Sequence, residues 1–235
     1  MVVWGAGGAS SRHRHHSVQL VLALTGSLRI RGGEGAPWDV CEAAFVRADA
    51  AHEVDACGAT VLIAFVEPES LLGVALAVRI SGDIERIPAD EAARWRGAVW
   101  TCGSPSDTGI KRWLEADLLG GLSPPPLHPG MRSVLLHIRN HLQEPEALSL
   151  RSLARVASLS PSRLMHIFTA SMGIALRPYV LWLRLQLACG ELMRGASATE
   201  AAMQAGFADA AHLSRTCRRM LGTTPTTIAA SRTRR

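Results

Sequence analysis

The sequence predicts a multidomain β + α protein: a small β-sandwich or barrel with flanking helices, then an all-helical domain. Three observations carry this. Short branched-rich runs recur at intervals of about ten residues over the first 80, a proline cluster interrupts the chain at 124–129, and helical periodicity dominates the residues beyond it. Charge divides at the same place. Residues 1–130 hold 11 basic and 15 acidic groups, a net −4, whereas 131–235 hold 14 arginines, no lysine and five acids, a net +9. An acidic part joined to a strongly basic one favours a polyanionic partner for the second part alone.

A chain of 235 residues has room for one large domain or two modest ones. Its best candidate for a membrane span, Ala59–Ile80, is broken by Glu67-Pro68-Glu69. The opening MVVWGAGGASSRHRHH lacks the basic-then-apolar order of a signal peptide. Cys41, Cys57, Cys102, Cys189 and Cys217 are scattered, without CxxC or zinc-finger spacing, which predicts reduced thiols in a cytoplasmic protein. No membrane partner is expected.

In the first part Val18–Leu24, Ser27–Arg31, Ala44–Arg47 and Thr60–Val66 are the strand candidates, punctuated by glycine, proline and acids. Pro88–Trp100, with proline and acids at its start, reads as a helix. Ile110–Leu119, with Ile110, Trp113 and Leu114 turn-spaced, reads as another. Pro124, Pro125, Pro126 and Pro129 cannot continue a helix and stiffen an extended connection. The expected organisation is therefore a domain at 1–120, a linker at 121–130 and a second domain at 131–235.

In the second domain Met131–Leu142 puts Val134, Leu135, Ile138 and Leu142 on one face. Ser149 caps a helix through Ala157, and Ser160-Pro161, a cap followed by proline, opens the next, with Leu164, Ile167 and Phe168 inward. A long Leu-rich helix runs from Pro178 to Met193. Ser197 and Glu200 form a capping box, Gly206 allows the positive φ of a tight turn, and Asp209 caps the last helix. There Leu213, Cys217 and Met220 share a face, apart from His212, Ser214, Arg215, Arg218 and Arg219. Such a basic edge suits a solvated hairpin or a helix lying in a DNA major groove.

An internal repeat separates the two. Ala154, Ser158, Leu159, Leu164 and Phe168 align with Ala202, Gly206, Phe207, Leu213 and Cys217, the second unit having one extra residue in its turn. Each unit follows the helix-turn-helix plan, a supporting helix before one that enters the groove. A connecting helix of about 16 residues spans about 24 Å at 1.5 Å per residue. With side packing that is compatible with major grooves one turn, roughly 34 Å, apart.

Residues 131–235 also resemble the DNA-binding domain of the AraC/XylS transcriptional regulators, on LSPSRLMHIF (159–168), Met172-Gly173, RPYVLWLRLQLA (177–188) and GFADAAHLSRTCRRMLGTTP (206–225). By position the resemblance implies Ser162, Met165, His166 and Thr169 towards bases with Arg163 at base or phosphate. It implies Ala210, Ala211, Ser214 and Arg215 in the second unit, with His212 and Arg218 towards the backbone. Two positions depart. Cys217 stands where the family has phenylalanine, and Ala210 and Ala211 cannot hydrogen-bond bases, so readout falls to thymine methyls or to Arg215, whose fork matches guanine O6 and N7.

In the first part Gly7, His13, His15, Gln19 and Gly26 have the spacing of the first cupin motif with Gln for Glu, and His52 falls where the second motif places a histidine. Arg47, Asp49 and Ala56 replace that motif's other residues. His13 and His15 on one strand face, with His52 and Gln19, form a set suited to Zn²⁺, Fe²⁺ or a similar ion. The same histidines fit polar lining around an organic effector, or an exposed strand end.

The resemblance implies a cupin-like sensor barrel, an effector, double-stranded DNA, contact with RNA polymerase and a homodimer. Trp95, Val99, Trp113 and Leu114 are candidates for the dimer seam, or for a cover over the barrel. A metal-dependent cupin enzyme fused to a DNA reader is the alternative. Nothing else in the sequence, neither nucleophile elbow nor P-loop, points to catalysis.

Overall fold

The computed structural model describes residues 1–101, 104–105, 109–110, 113 and 127–231. One compact unit is built mainly from Met1–Pro124, the other mainly from Pro125–Cys217 and Thr224–Ala229.

The first unit holds a five-stranded antiparallel sheet in the order β1 (Val2–Ala6), β7 (Thr60–Val66), β2 (Val18–Thr25), β5 (Ala43–Val46), β8 (Ile84–Arg86). A three-stranded sheet places β3 (Leu28–Arg31) between β4 (Asp39–Cys41) and β6 (Glu53–Asp55). Side chains alternate along a strand, and β2 is buried on both faces. Leu20 and Leu22 pack in a cluster with Phe45, Leu62, Leu76, Trp95 and Trp113. Val21 and Ala23 pack in another with Leu28 and Ile30 of β3, Val54 of β6 and Val61 of β7. This double burial is why β2 reads as an unbroken apolar run.

The expected barrel does not close among the described residues. The chain leaves the large sheet at Gly26, whose φ of 71° is a left-handed turn, and β3 pairs with β4 and β6 instead of with β2. The segment before β2 meets β6 and its flanks through the isolated bridges Ala9–Asp55 and His13–His52 and through bonds between Ser10 and Val54, without forming a strand of its own among the described residues. The architecture is two main antiparallel sheets packed through apolar side chains, beside a short two-stranded pair, Trp100–Thr101 with Ser104–Pro105.

Leu71–Arg79 is helical, although it lies in the stretch expected to be β structure. The Ser70 hydroxyl accepts from the Gly73 N–H at 3.0 Å, and a side chain at Gly73 would lie 2.1 Å from the Glu67 carbonyl oxygen, so only glycine fits that turn. The helix Ala89–Val99 matches the expected one to within a residue. Trp95, Val99 and Trp113 are fully buried against the large sheet, so they act as its cover and are not free to form a seam. Of the expected helix 110–119, Ile110 and Trp113 are described and buried, while Leu114 lies outside the described residues, as do linker positions 121–126.

The second unit is all-helical: Pro129–Asn140, Leu150–Val156, Pro161–Met172, Leu176–Arg194, Ala198–Gln204, Ala210–Leu221 and Pro225–Ala230. Pro129 opens the first helix instead of stiffening a linker, because proline's fixed φ and missing N–H suit a first turn. The connecting helix has 19 residues, Leu176–Arg194, and is capped by Gly195, whose φ is 105°. Among the described residues no single helix is long and apolar enough to cross a membrane.

Candidate nucleic-acid interface and histidine cluster

The repeat read from the sequence is a repeat of backbone geometry. The Leu159 N–H donates to the Ala154 carbonyl at 2.9 Å, and the Phe207 N–H donates to the Ala202 carbonyl at 2.9 Å. Between them Ser158 and Gly206 hold φ of 54° and 74°, the left-handed conformation that ends a helix sharply. Each second helix is then capped by a side chain. Ser160 Oγ accepts from the Arg163 N–H at 3.3 Å and Asp209 Oδ1 from the His212 N–H at 2.6 Å. The extra turn residue in the second unit is therefore absorbed before the cap. Leu164 and Phe168 in one unit, and Leu213 and Cys217 in the other, are fully buried, which fixes the opposite face outward.

On the helix Pro161–Met172 that outward face carries Ser162, Arg163, Met165, His166 and Thr169, all exposed. Met165 is 53% exposed on this face, one of three large apolar side chains that the second unit leaves exposed among the described residues, with Leu136 and Met203. On Ala210–Leu221, Ala211, Arg215 and Arg218 are exposed, while Ala210, His212 and Ser214 are half-buried. The His212 ring lies edge-on to Phe207 at 5.1 Å, so it supports the turn as well as facing outward. Among the described residues Arg163, Arg215, Arg218 and Arg219 make no ion pair. Exposed cations without acids to neutralise them are the footprint of a phosphate-binding face. Thr216 is 2% exposed on the inner face, a polar residue the apolar periodicity does not flag.

In the first unit His13, His15, Gln19 and His52 come together and all are buried. One ring nitrogen from each histidine lies within 4.8 Å of those of the other two. Gln19 Oε1 stands 2.7 Å from His15 Nε2 and 3.1 Å from His52 Nε2. Carbonyls only accept, so His13 donates through Nδ1–H to the Ser11 carbonyl at 2.8 Å and His52 through Nδ1–H to the Ala50 carbonyl at 3.0 Å. His15 Nδ1 is held by the Ser17 hydroxyl at 2.9 Å.

Burial, with repulsion from His52, pushes His13 down to about 3 and His15 down to about 4, and burial lowers His52 as well. The rings are therefore neutral near pH 7, and those of His13 and His52 carry their lone pairs on Nε2. A neutral His52 Nε2 cannot bond an amide oxygen. Either Gln19 turns its NH₂ towards it or a cation stands between the two acceptors. By donor type the set suits a divalent ion: three histidine ring nitrogens within 4.8 Å of one another, beside an amide oxygen.

The sequence identified the four inner residues. It did not identify Ser11, Ala50 and Ser17, which orient them, nor Asp49, whose carboxylate bonds His16 at 2.7 Å from a left-handed backbone of φ 64°. His16 is buried by that pair rather than exposed at a strand end.

A family model described as a helix-turn-helix domain matches residues 153–231. The structure of ToxT from Vibrio cholerae O395 is similar over 99% of this chain and 98% of that one, with a TM-score of 0.62 at 10% identity. Wild-type ToxT from V. cholerae strain SCE256, in its unsaturated fatty acid-bound form, is similar over 99% of this chain and 95% of that one, with a TM-score of 0.56 at 10% identity. An AraC-type DNA-binding domain regulator from Chromobacterium violaceum is 26% identical over 45% of this chain and 94% of its own, with a TM-score of 0.42.

Proposed function

We propose that the chain is a sequence-specific DNA-binding transcription regulator of the AraC type, tuned by an effector in its first unit, a reading supported by the helix-turn-helix match over residues 153–231. The observation that carries this is the doubled turn: two equivalent left-handed turns, each followed by a capped helix whose exposed arginines lack acid partners among the described residues. Ser162, Arg163, Met165, His166 and Thr169 meet DNA from the first unit of the repeat. Ala210, Ala211, His212, Ser214, Arg215 and Arg218 meet it from the second, with Arg215 the base reader. A first domain over 1–120 and a second over 131–235 serve sensing and DNA binding respectively.

The effector reading draws on two supports. The ToxT fold, which this chain shares, has been captured with a fatty acid bound, an analogy of fold and not of site. The buried cluster of His13, His15, Gln19 and His52 offers polar donors of its own to an organic effector or to Zn²⁺ or Fe²⁺. The cluster supplies neutral ring nitrogens: the Ser11 and Ala50 carbonyls hold His13 and His52 in the Nδ1–H tautomer, and the Ser17 hydroxyl orients the His15 ring. An effector that binds one arrangement of the chain better shifts the population that is competent on DNA. Homodimerisation, contact with RNA polymerase and a cytoplasmic site of action belong to the same reading.

The deciding experiment is selection of binding sites from a random duplex pool by the full chain. Enrichment of a defined motif is expected, and a pool that stays random after repeated rounds rules the reading out.

A further inference from the structure

The first helix of the second unit touches both helix-turn-helix turns, one at each of its ends. At its start, a side chain on Gly130 would lie 2.9 Å from the carbonyl oxygen and 3.3 Å from the Cβ of Ala157, the residue before the left-handed Ser158. Glycine is what lets the helix lie directly on that turn. Just past its other end, the Leu142 carbonyl accepts a hydrogen bond from Arg184 Nε at 3.0 Å. Gly206, the left-handed residue of the second turn, packs on that very bond. A side chain there would lie 2.9 Å from the Leu142 oxygen and 3.0 Å from Arg184 Nε. Next door, Gln143 Nε2 donates to the Gln204 carbonyl, the last helical residue before the second turn.

Arg184 is placed for this role. It sits half-buried in the middle of the connecting helix and belongs to neither recognition helix. It makes no ion pair among the described residues, and burial lowers its affinity for a proton. A charge kept in such a place without an acid needs a compensating acceptor, and a carbonyl at the end of a helix, with its partial negative charge, is one. Gly130 to Leu142 spans about 18 Å at 1.5 Å per residue.

We propose that Pro129–Asn140 and its Leu142–Gln143 extension form a strut between the two turns, locked by Arg184, and that this strut sets the spacing between the two DNA half-sites the chain accepts. Arg184 is a positioning residue: it does not touch DNA but fixes the distance and orientation between the two helices that do. The connecting helix Leu176–Arg194 already runs in sequence from the first helix-turn-helix pair to the second. The strut adds a second tie and removes the hinge.

The inference rests on the DNA-binding reading, and one series of measurements separates the two. The full chain is used to select a duplex motif, and affinity is then measured for that motif, for versions with one or two base pairs inserted or deleted between its halves, and for versions with one half scrambled. Wild type is expected to lose tenfold or more on a changed spacer. Arg184→Leu and Gln143→Ala are expected to cut that spacing penalty several-fold while changing affinity for the single-half duplexes by less than twofold. Gln143 is exposed, so its variant decides the matter if Arg184→Leu fails to fold. A spacing penalty in folded variants equal to that of wild type overturns the strut, as does a wild type indifferent to spacing or a selected motif with one half only. A pool that never enriches overturns the DNA reading itself.

Discussion

The Phe207 N–H reaches back to the Ala202 carbonyl at 2.9 Å, closing the second helix-turn-helix turn with the same bond that Leu159 and Ala154 make in the first. The residue inside the loop differs. Gly206 takes its φ of 74° without strain, whereas Ser158 holds 54° with a Cβ that crowds the backbone. Gly206→Ala is expected to destabilise the second unit by about 1–2 kcal/mol from the left-handed backbone alone, before contact with the Leu142 oxygen is counted. Ser158→Gly should stabilise slightly, by about 0.5 kcal/mol, since relieved strain exceeds the added freedom of the unfolded chain. Urea titrations of both variants check the pair, and equal effects of the same sign would show that the turns are not equivalent.

Arg215 is exposed on the second recognition helix and makes no ion pair among the described residues. Its neighbours Ala210 and Ala211 have no side-chain donors, so base discrimination there concentrates on one guanidinium. Arg215→Ala is expected to weaken specific binding by about 1–3 kcal/mol and to relax preference at one base pair. Affinities for a panel of point-substituted sites show which contact it makes. A loss uniform over all sequences would mean that Arg215 meets a phosphate.

How much of this was legible depended on whether a signal was local. Ser160-Pro161, the Ser197–Glu200 capping box and Asp209 are local, and all mark helix starts where the structure has them. The repeat was legible because a turn of fixed geometry demands small, left-handed-tolerant and apolar residues at fixed offsets. Barrel closure was not, since it depends on which strand β3 pairs with, a choice made at Gly26 by long-range contacts. Leu71–Arg79 misled because a short apolar run has no period of its own and its cap, Ser70, sits amid Glu67-Pro68-Glu69. The inner histidines could be found by spacing. Their tethers could not, because two of them are backbone carbonyls, which every residue has.

The depressed histidines are expected to make the first unit acid-sensitive. His13 and His15 titrate in the folded state at about 3 and about 4, against 6.5 when unfolded. Below pH 6.5 the unfolded chain takes up protons that the folded cluster refuses, so stability is full above that value and falls as pH drops towards 4. Each neutral imidazole contributes a slope of up to about 1.4 kcal/mol per pH unit in that window. Thermal melting from about pH 7.5 down to about pH 4.5 should show it, with His15→Gln giving a shallower decline. A midpoint flat from about pH 7 to about pH 5 would mean that the cluster protonates in the folded protein.

Metal uptake should depend on a residue that is itself no ligand. Ser17 Oγ holds His15 Nδ1 at 2.9 Å, and Gln19 Oε1 lies 2.7 Å from the opposite nitrogen of that ring, so the hydroxyl aims the inward face. Purified full-length protein given Zn²⁺ at about pH 7.5 is expected to retain about one ion per chain, and His13→Ala or His52→Ala to abolish retention. Ser17→Ala keeps every ligand and loses only the tether, so it should weaken Zn²⁺ affinity by about 10–100-fold, the usual effect of removing such an outer partner. Competition titration against a chelator of known affinity reads this directly. Wild-type protein that leaves all its Zn²⁺ with a weak chelator would assign the four buried residues to an organic effector. Full affinity in Ser17→Ala would show that the loop backbone alone, through the Ser11 and Ala50 carbonyls on the flanking rings, keeps the site in order.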